Sequence, residues 1–134
     1  MKTKTTLFAA LAGLGTGALG VQAIHAQAPS QTNQPAFYIS EFEVTDPEAL
    51  RPYRERVDAT FAPFSGRYVV RGGEIAPLEG EAPKGRIVVI KFNSMEKAKA
   101  WYDSPVYREI RPIRHGAAKS RVFIVEGTDE RETR

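Results

Sequence analysis

The chain has 134 residues, 42% of them hydrophobic and 26% charged, with no cysteine. Its formal charge is +3, but Lys2 and Lys4 lie in a leader-like segment; without them 17 basic residues face 16 acidic ones, a net charge of +1. That near balance leaves no basis for a nucleic-acid partner, and the missing cysteines exclude a disulfide framework, so a hydrophobic core must hold the fold.

Lys2 and Lys4 precede LFAALAGLGTGALG, residues Leu7 to Gly20, which are apolar, small and uncharged. This run is shorter than the roughly 20 apolar residues of a membrane span. Small residues follow in VQAIHAQAPSQ, completing the layout of a secretory signal peptide over residues 1–28. Ala26-Gln27-Ala28 has the A-x-A shape of a cleavage site, but Pro29 is a poor residue after a cut, so cleavage after Ala23 or Ala26 fits equally. The alternative is an uncleaved anchor. A cleaved leader implies export, to the periplasm or fully secreted, with no stable membrane insertion afterwards. Residues 29–35 then form a polar tether, residues 36–127 a single domain, and residues 128–134 a frayed, solvated tail.

AFYISEFEV, residues 36–44, is aromatic and β-branched and predicts the first strand. In the next segment Thr45 and Glu48 fit a capping box, and Asp46-Pro47 fits a cap with proline at the first helical position. Leu50, Tyr53, Val57, Phe61 and Phe64 form one apolar stripe of the first helix. Pro52 predicts a kink or a restarted first turn, and Gly66 the helix end. GRYVVRGGE predicts the second strand, with Gly72-Gly73 as a bulge or close backbone approach. IAPLEGEAPK is a loop, and GRIVVIKFN, residues 85–93, is the third strand. Ser94 then caps a short helix carrying Met95, Ala98 and Tyr102 on one face. Ser104-Pro105 caps a second piece, with Val106, Ile110, Ile113 and Ala117 as its apolar face. SRVFIVEG, residues 120–127, is the last strand.

This β-α-β-β-α-β order predicts an α+β, ferredoxin-like sandwich: an antiparallel four-stranded sheet with the second helix in two pieces. Ile87, Val88, Val89 and Ile90 are apolar on both faces of their strand, whereas a sheet with helices on one side should turn polar residues outward. A second copy packed sheet to sheet is the economical cover, so a homodimer is expected.

RGGE at 71–74, VVIKFNSMEKAKAWYDSPVYREI at 88–110 and SRVFIVEG at 120–127 resemble the domain-of-unknown-function family numbered 1330. The resemblance runs from about Phe37 to Gly127, and its most specific part is S-M-E-x-A-x-A-W-Y-D-S-P-x-Y. It implies the dimeric α+β barrel group, and it favours a basic residue at Arg114. Exported members are not the family's usual arrangement.

Several groups are candidates for chemistry. Trp101, Tyr102 and Tyr107 fall near Tyr68 and Phe92, either as the wall of an apolar ligand pocket or as plain core packing. Adjacent on one helix, Trp101 and Tyr102 point about 100° apart and do not both face one pocket. Arg71 and Glu74 flank the double glycine. Arg71 is either a clamp for a ligand carboxylate or half of an ion pair with Glu41, Glu74 or another local acid. It shares strand parity with Arg67 unless a bulge intervenes. Arg108, Arg111 and Arg114 recur every three residues as a solvated stripe, of which Arg114 is the best pocket candidate. His115 is either a surface side chain near a helix end or a general base. His25 lies in the leader, so with one histidine in the mature chain and no cysteine a structural zinc site is not expected, and neither GxSxG nor GxxxxGK[ST] occurs. The ligand-binding candidates are thus Arg71, Glu74, Trp101, Tyr107 and Arg114, with no metal and no cofactor. The expected function is an exported dimer that binds a small organic ligand. The alternatives are a cofactor-independent monooxygenase-like or isomerase-like enzyme, and a non-catalytic structural or stress-associated dimer.

Overall fold

The computed structural model describes residues 34–129, together with Ala12, Gly13, Gly15 and Gly17. The chain divides into two units, Met1–Ser30 and Gln31–Arg134. Apart from Ala12, Gly13, Gly15 and Gly17 the expected signal peptide lies outside the described residues, as do residues 29–33 of the tether and 130–134 of the tail. Among the described residues no helix is long and apolar enough to cross a membrane.

The second unit runs β1 (Ala36–Val44), α1 (Pro47–Phe61), a 3-10 turn (Ala62–Phe64), β2 (Arg67–Arg71), β3 (Arg86–Phe92), α2 (Met95–Tyr102), α3 (Pro105–Ala117) and β4 (Ala118–Glu126). The strands form one antiparallel sheet in the order β2-β3-β1-β4. Each helical connection therefore skips over one central strand, as the predicted ferredoxin-like order requires.

The caps follow the local chemistry. The Asp46 carboxylate accepts from Ala49 N–H at 3.0 Å, with Pro47 at the first helical position, where its missing N–H costs nothing. Ser94 caps α2 by accepting from Lys97 N–H at 3.2 Å, and Ser104 caps α3 ahead of Pro105. Helix α1 continues through Pro52 rather than restarting there. It ends at Phe61, earlier than Gly66. Ser65 takes the left-handed φ of +68°, and Gly66 N–H reaches back to Phe61 O at 3.0 Å.

The pleat sorts the sheet into two faces. Ala36, Tyr38, Ser40 and Phe42 alternate towards the helices and are buried. Cross-strand pairing aligns them into rows: Tyr68, Ile90, Tyr38 and Ile124 in one, then Arg71, Val88, Ser40 and Val122 in the next. Helix α1 lays Leu50, Tyr53, Val57 and Phe61 over these rows. The core face of α3 differs from the predicted one: Tyr107, Ile110, Arg114 and Ala117 are buried, while Val106 is 51% exposed. That face follows i, i+3, i+7, i+10, which tracks a 3.6-residue turn as well as the predicted stripe does.

Trp101 is the hub of the core. Fully buried, it stacks on Phe92 at a centroid distance of 5.3 Å, meets Tyr38 edge-on at 5.0 Å and lies 4.2 Å from Tyr107. Its indole N–H donates to Thr60 Oγ1 at 3.0 Å, which removes the penalty of burying that group.

The opposite face is open. Val70, Val89, Ile39 and Phe123 form one row across all four strands, flanked by Phe37, Ile87 and Val125. Phe123 is 47% exposed and Val125 44%. Replacing Trp101 by Ala should cost about 3–5 kcal/mol in urea unfolding. A loss below about 1 kcal/mol would contradict its place at the centre of the core.

Candidate functional site

A cavity of about 240 Å³ lies between the sheet and helices α1 and α3. Its floor is the pair of inward rows, with Tyr38, Ser40 and Phe42 from β1 and Val88 and Ile90 from β3. Its roof carries Tyr53 and Val57 from α1 and Arg114 from α3. Tyr68, Arg71, Arg86 and Arg54 complete the lining.

Arg71 reaches this cavity through a defect in the sheet. Tyr68 pairs with Ile90 and Val70 with Val89, so one residue, Val69, is extra on β2. The bulge thus falls at Val69, inside the strand, while Gly72 shows the other expected feature, a close backbone approach, here to the Arg86 guanidinium. In a regular strand Arg71 would share the face of Arg67. The extra residue reverses the parity and sets Arg71 opposite Val88, in the inward row with Ser40. There its guanidinium lies 4.6 Å over the Tyr68 ring and 3.6 Å from the Asp58 carboxylate. Asp58 also accepts from Tyr68 O–H at 2.8 Å, which ties α1 to the edge strand. The acid beside Arg71 is thus Asp58, not Glu41 or Glu74.

Arg114 forms the buried end. It is only 2% exposed, and among the described residues no carboxylate pairs with it. Its Nη1 donates to Ser120 Oγ, and Nη2 lies 3.4 Å from His115 Nε2. Burial and the neighbouring Arg114 hold the His115 pKa below the ordinary imidazole value, so the neutral ring accepts from the guanidinium. Burial opposes the Arg114 charge, yet the guanidinium stays protonated.

The Tyr38 and Tyr53 phenols remain protonated donors. Burial, reinforced by Tyr107, pushes the Tyr38 hydroxyl above its ordinary range, and the same causes act on Tyr53. Tyr53 and Tyr107 share a hydrogen bond of 3.2 Å. Three other polar atoms have no partner at all: Tyr38 Oη, Ser40 Oγ and Arg114 Nε. All three residues line the cavity. Tyr107 and Ser40 stand close enough to influence Tyr38 ionisation, but neither completes a hydrogen bond to its hydroxyl. A buried unsatisfied polar group costs about 1–3 kcal/mol. All three belong to residues that line one cavity, which makes it the candidate site for a polar ligand or water.

The arrangement supplies two hydroxyl donors and one N–H of a guanidinium, a set matched to an oxyanion. The lining holds no carboxylate and no imidazole, so it offers no ordinary general base. A second recess, about 400 Å³, lies where α2 meets β4, lined by Met95, Lys99, Tyr102, Val122, Phe123 and Ile124, with Tyr38 shared between the two. Beyond Tyr38 it contains no buried polar atom lacking a partner. Larger but without that signature, it is the weaker site.

Of the sequence candidates, Arg71 and Arg114 are brought together in the cavity lining. Tyr107 stands behind it, bonded to Tyr53. Trp101 is enclosed in the core, and Glu74 is exposed beyond the end of β2; neither lines the cavity. Arg111 lies 4.6 Å over the Tyr102 ring and donates to Tyr102 O at 3.2 Å, which fixes the junction of α2 and α3. Sequence reasoning missed Tyr38, Ser40, Tyr53, Arg54 and Arg86. One signal was available: Ser40 is a lone hydroxyl at the inward parity of an otherwise apolar and aromatic strand face. Among the described residues no group of three or more His, Asp or Glu side chains is placed to hold a metal ion.

Comparison with known proteins agrees on the fold. The RPA0582 protein of unknown function from Rhodopseudomonas palustris is 20% identical, with a TM-score of 0.59 over 72% of this chain and 84% of that one. A conserved protein of unknown function from Bacteroides thetaiotaomicron, described as a possible oxidoreductase, is 9% identical, with a TM-score of 0.51 over 71% and 98%. No curated protein is significantly similar to the chain. Residues 35–128 match the family described as Domain of unknown function (DUF1330), and the chain belongs to that family.

Proposed function

We propose that this protein is an exported homodimer that binds a small organic acid in the cavity between α1, α3 and the sheet. One observation carries the reading: Tyr38 Oη, Ser40 Oγ and Arg114 Nε are buried and unpartnered, and their three residues line the same cavity. A ligand carboxylate there accepts from two hydroxyls and a guanidinium N–H, and its charge compensates a cation that has no acidic partner among the described residues. A volume of about 240 Å³ falls below the usual 300–1,000 Å³ of drug-sized sites, which points to a compact ligand. With phenols held protonated and no carboxylate or imidazole in the lining, the site favours holding an anion over abstracting a proton.

The homodimer rests on the open sheet face. A row of four apolar side chains, with Phe37, Ile87 and Val125 beside it, is the kind of contiguous patch that soluble monomers rarely expose. A second copy of the same face covers it with matching chemistry. Export rests on the charged start and the apolar run of the leader.

Short monocarboxylic acids should raise the melting temperature and bind measurably by calorimetry. Tyr38→Phe should weaken them about tenfold, the equivalent of one hydrogen bond of about 1.4 kcal/mol. Arg114→Met should abolish binding while leaving the ligand-free protein as stable as before or more so, because it removes an uncompensated buried charge. Unchanged affinity in Arg114→Met would refute the assignment. Protein recovered from the periplasmic or secreted fraction should sediment as a dimer at micromolar concentration. Retention in the cytoplasm contradicts export, and a monomer contradicts the pairing.

A further inference from the structure

The cavity has a second cluster of positive charge at its exposed end. Arg54 from α1, Arg71 from β2 and Arg86 from β3 line it there, and no carboxylate shares the lining. Asp58, just outside, compensates Arg71 at 3.6 Å. Among the described residues neither Arg54 nor Arg86 has an ion-pair partner.

Arg86 is held in place rather than left free in solvent. It is half-buried, with its guanidinium 5.9 Å from the centre of the Phe42 ring. On the other side it packs against Gly72, where an added Cβ would fall 2.5 Å from both Nε and Nη2. Gly72 has a φ of +66° and donates its N–H to Ile87 O at 2.8 Å, so the backbone bends closely around the guanidinium. Any side chain at position 72 would fill the space Arg86 occupies. The Val69 bulge brings Arg71 to the same end. Two separate backbone devices thus deliver arginines to the mouth of a cavity whose roof already carries Arg114.

Cations converging without acids raise the local potential and await anionic charge. The lining thus carries two groups of donors, Tyr38, Ser40 and Arg114 from β1 and α3, and Arg54, Arg71 and Arg86 from α1, β2 and β3. We propose that the ligand is a short organic diacid. Its first carboxylate sits against Tyr38, Ser40 and Arg114, and its second is held at the mouth by Arg86 and Arg54 with Arg71 beside them. This deepens the organic-acid reading above and rests on it.

The test is calorimetry at low ionic strength on the full mature dimer with matched pairs: succinate against butyrate, glutarate against valerate, adipate against hexanoate. At least one diacid should bind tenfold or more tightly than its monoacid partner. That preference should shrink in 0.5 M salt, where a carboxylate at an exposed mouth is screened over about 4 Å. The double variant Arg54→Met/Arg86→Met, both at partly or fully exposed positions, should bring the ratio to within about twofold of one. Monoacids that bind as tightly as every diacid would overturn the second subsite and leave the buried one standing. A preference that survives in the double variant would also overturn it. If no acid of either series binds, both readings fall.

Discussion

A charged guanidinium on the core face of α3 is the constraint around which the rest of this domain is organised. Arg114 occupies a position that a helix of this kind ordinarily fills with Leu or Ile, between Ile110 and Ala117. No carboxylate was placed beside it among the described residues. Its surroundings are neutral donors and acceptors: Ser120, a His115 kept uncharged by burial and by Arg114 itself, and phenols kept protonated by burial. Arg114 Nε, Tyr38 Oη and Ser40 Oγ are enclosed without partners, and their residues line the cavity. The polar composition of the inward face and the unfilled space beside it therefore belong to one arrangement.

The aromatic core makes that arrangement mechanically possible. Trp101 supports Tyr38 on one side and Tyr107 on the other, and Tyr107 in turn holds Tyr53. The site residues therefore project from a packed layer, where rotamers are fixed by neighbours. The exposed end is built differently. One extra residue on β2 decides which side of the sheet Arg71 faces, and one left-handed glycine makes room for Arg86. Backbone irregularities, not packing, place the charges there.

Much of the fold was legible from local chemistry. Strand β1, the caps at Ser94 and Ser104-Pro105, and the order of elements all follow from short-range signals that tertiary context did not override. The site was less legible, for identifiable reasons. Arg108, Arg111 and Arg114 have the same spacing and the same residue type, and only packing separates the exposed Arg108 from the buried Arg114. The double glycine attracts attention as a bulge, yet the bulge sits at Val69, where two identical valines give no sign of a slipped register. Tyr38 and Ser40 look like ordinary strand residues until the fold brings them into one cavity lining with Arg71 and Arg114. Trp101, the most conspicuous residue in the most family-specific stretch, is structural.

The account stands on the claim that Arg114, Tyr38 and Ser40 together receive a carboxylate. The most direct measurement is a crystal structure of the protein soaked with glutarate. The account predicts density for the acid inside the cavity, one carboxylate within about 2.7–3.2 Å of Arg114 Nε and the Tyr38 hydroxyl. Glutarate bound elsewhere, or a cavity holding only water at saturating acid, would contradict it.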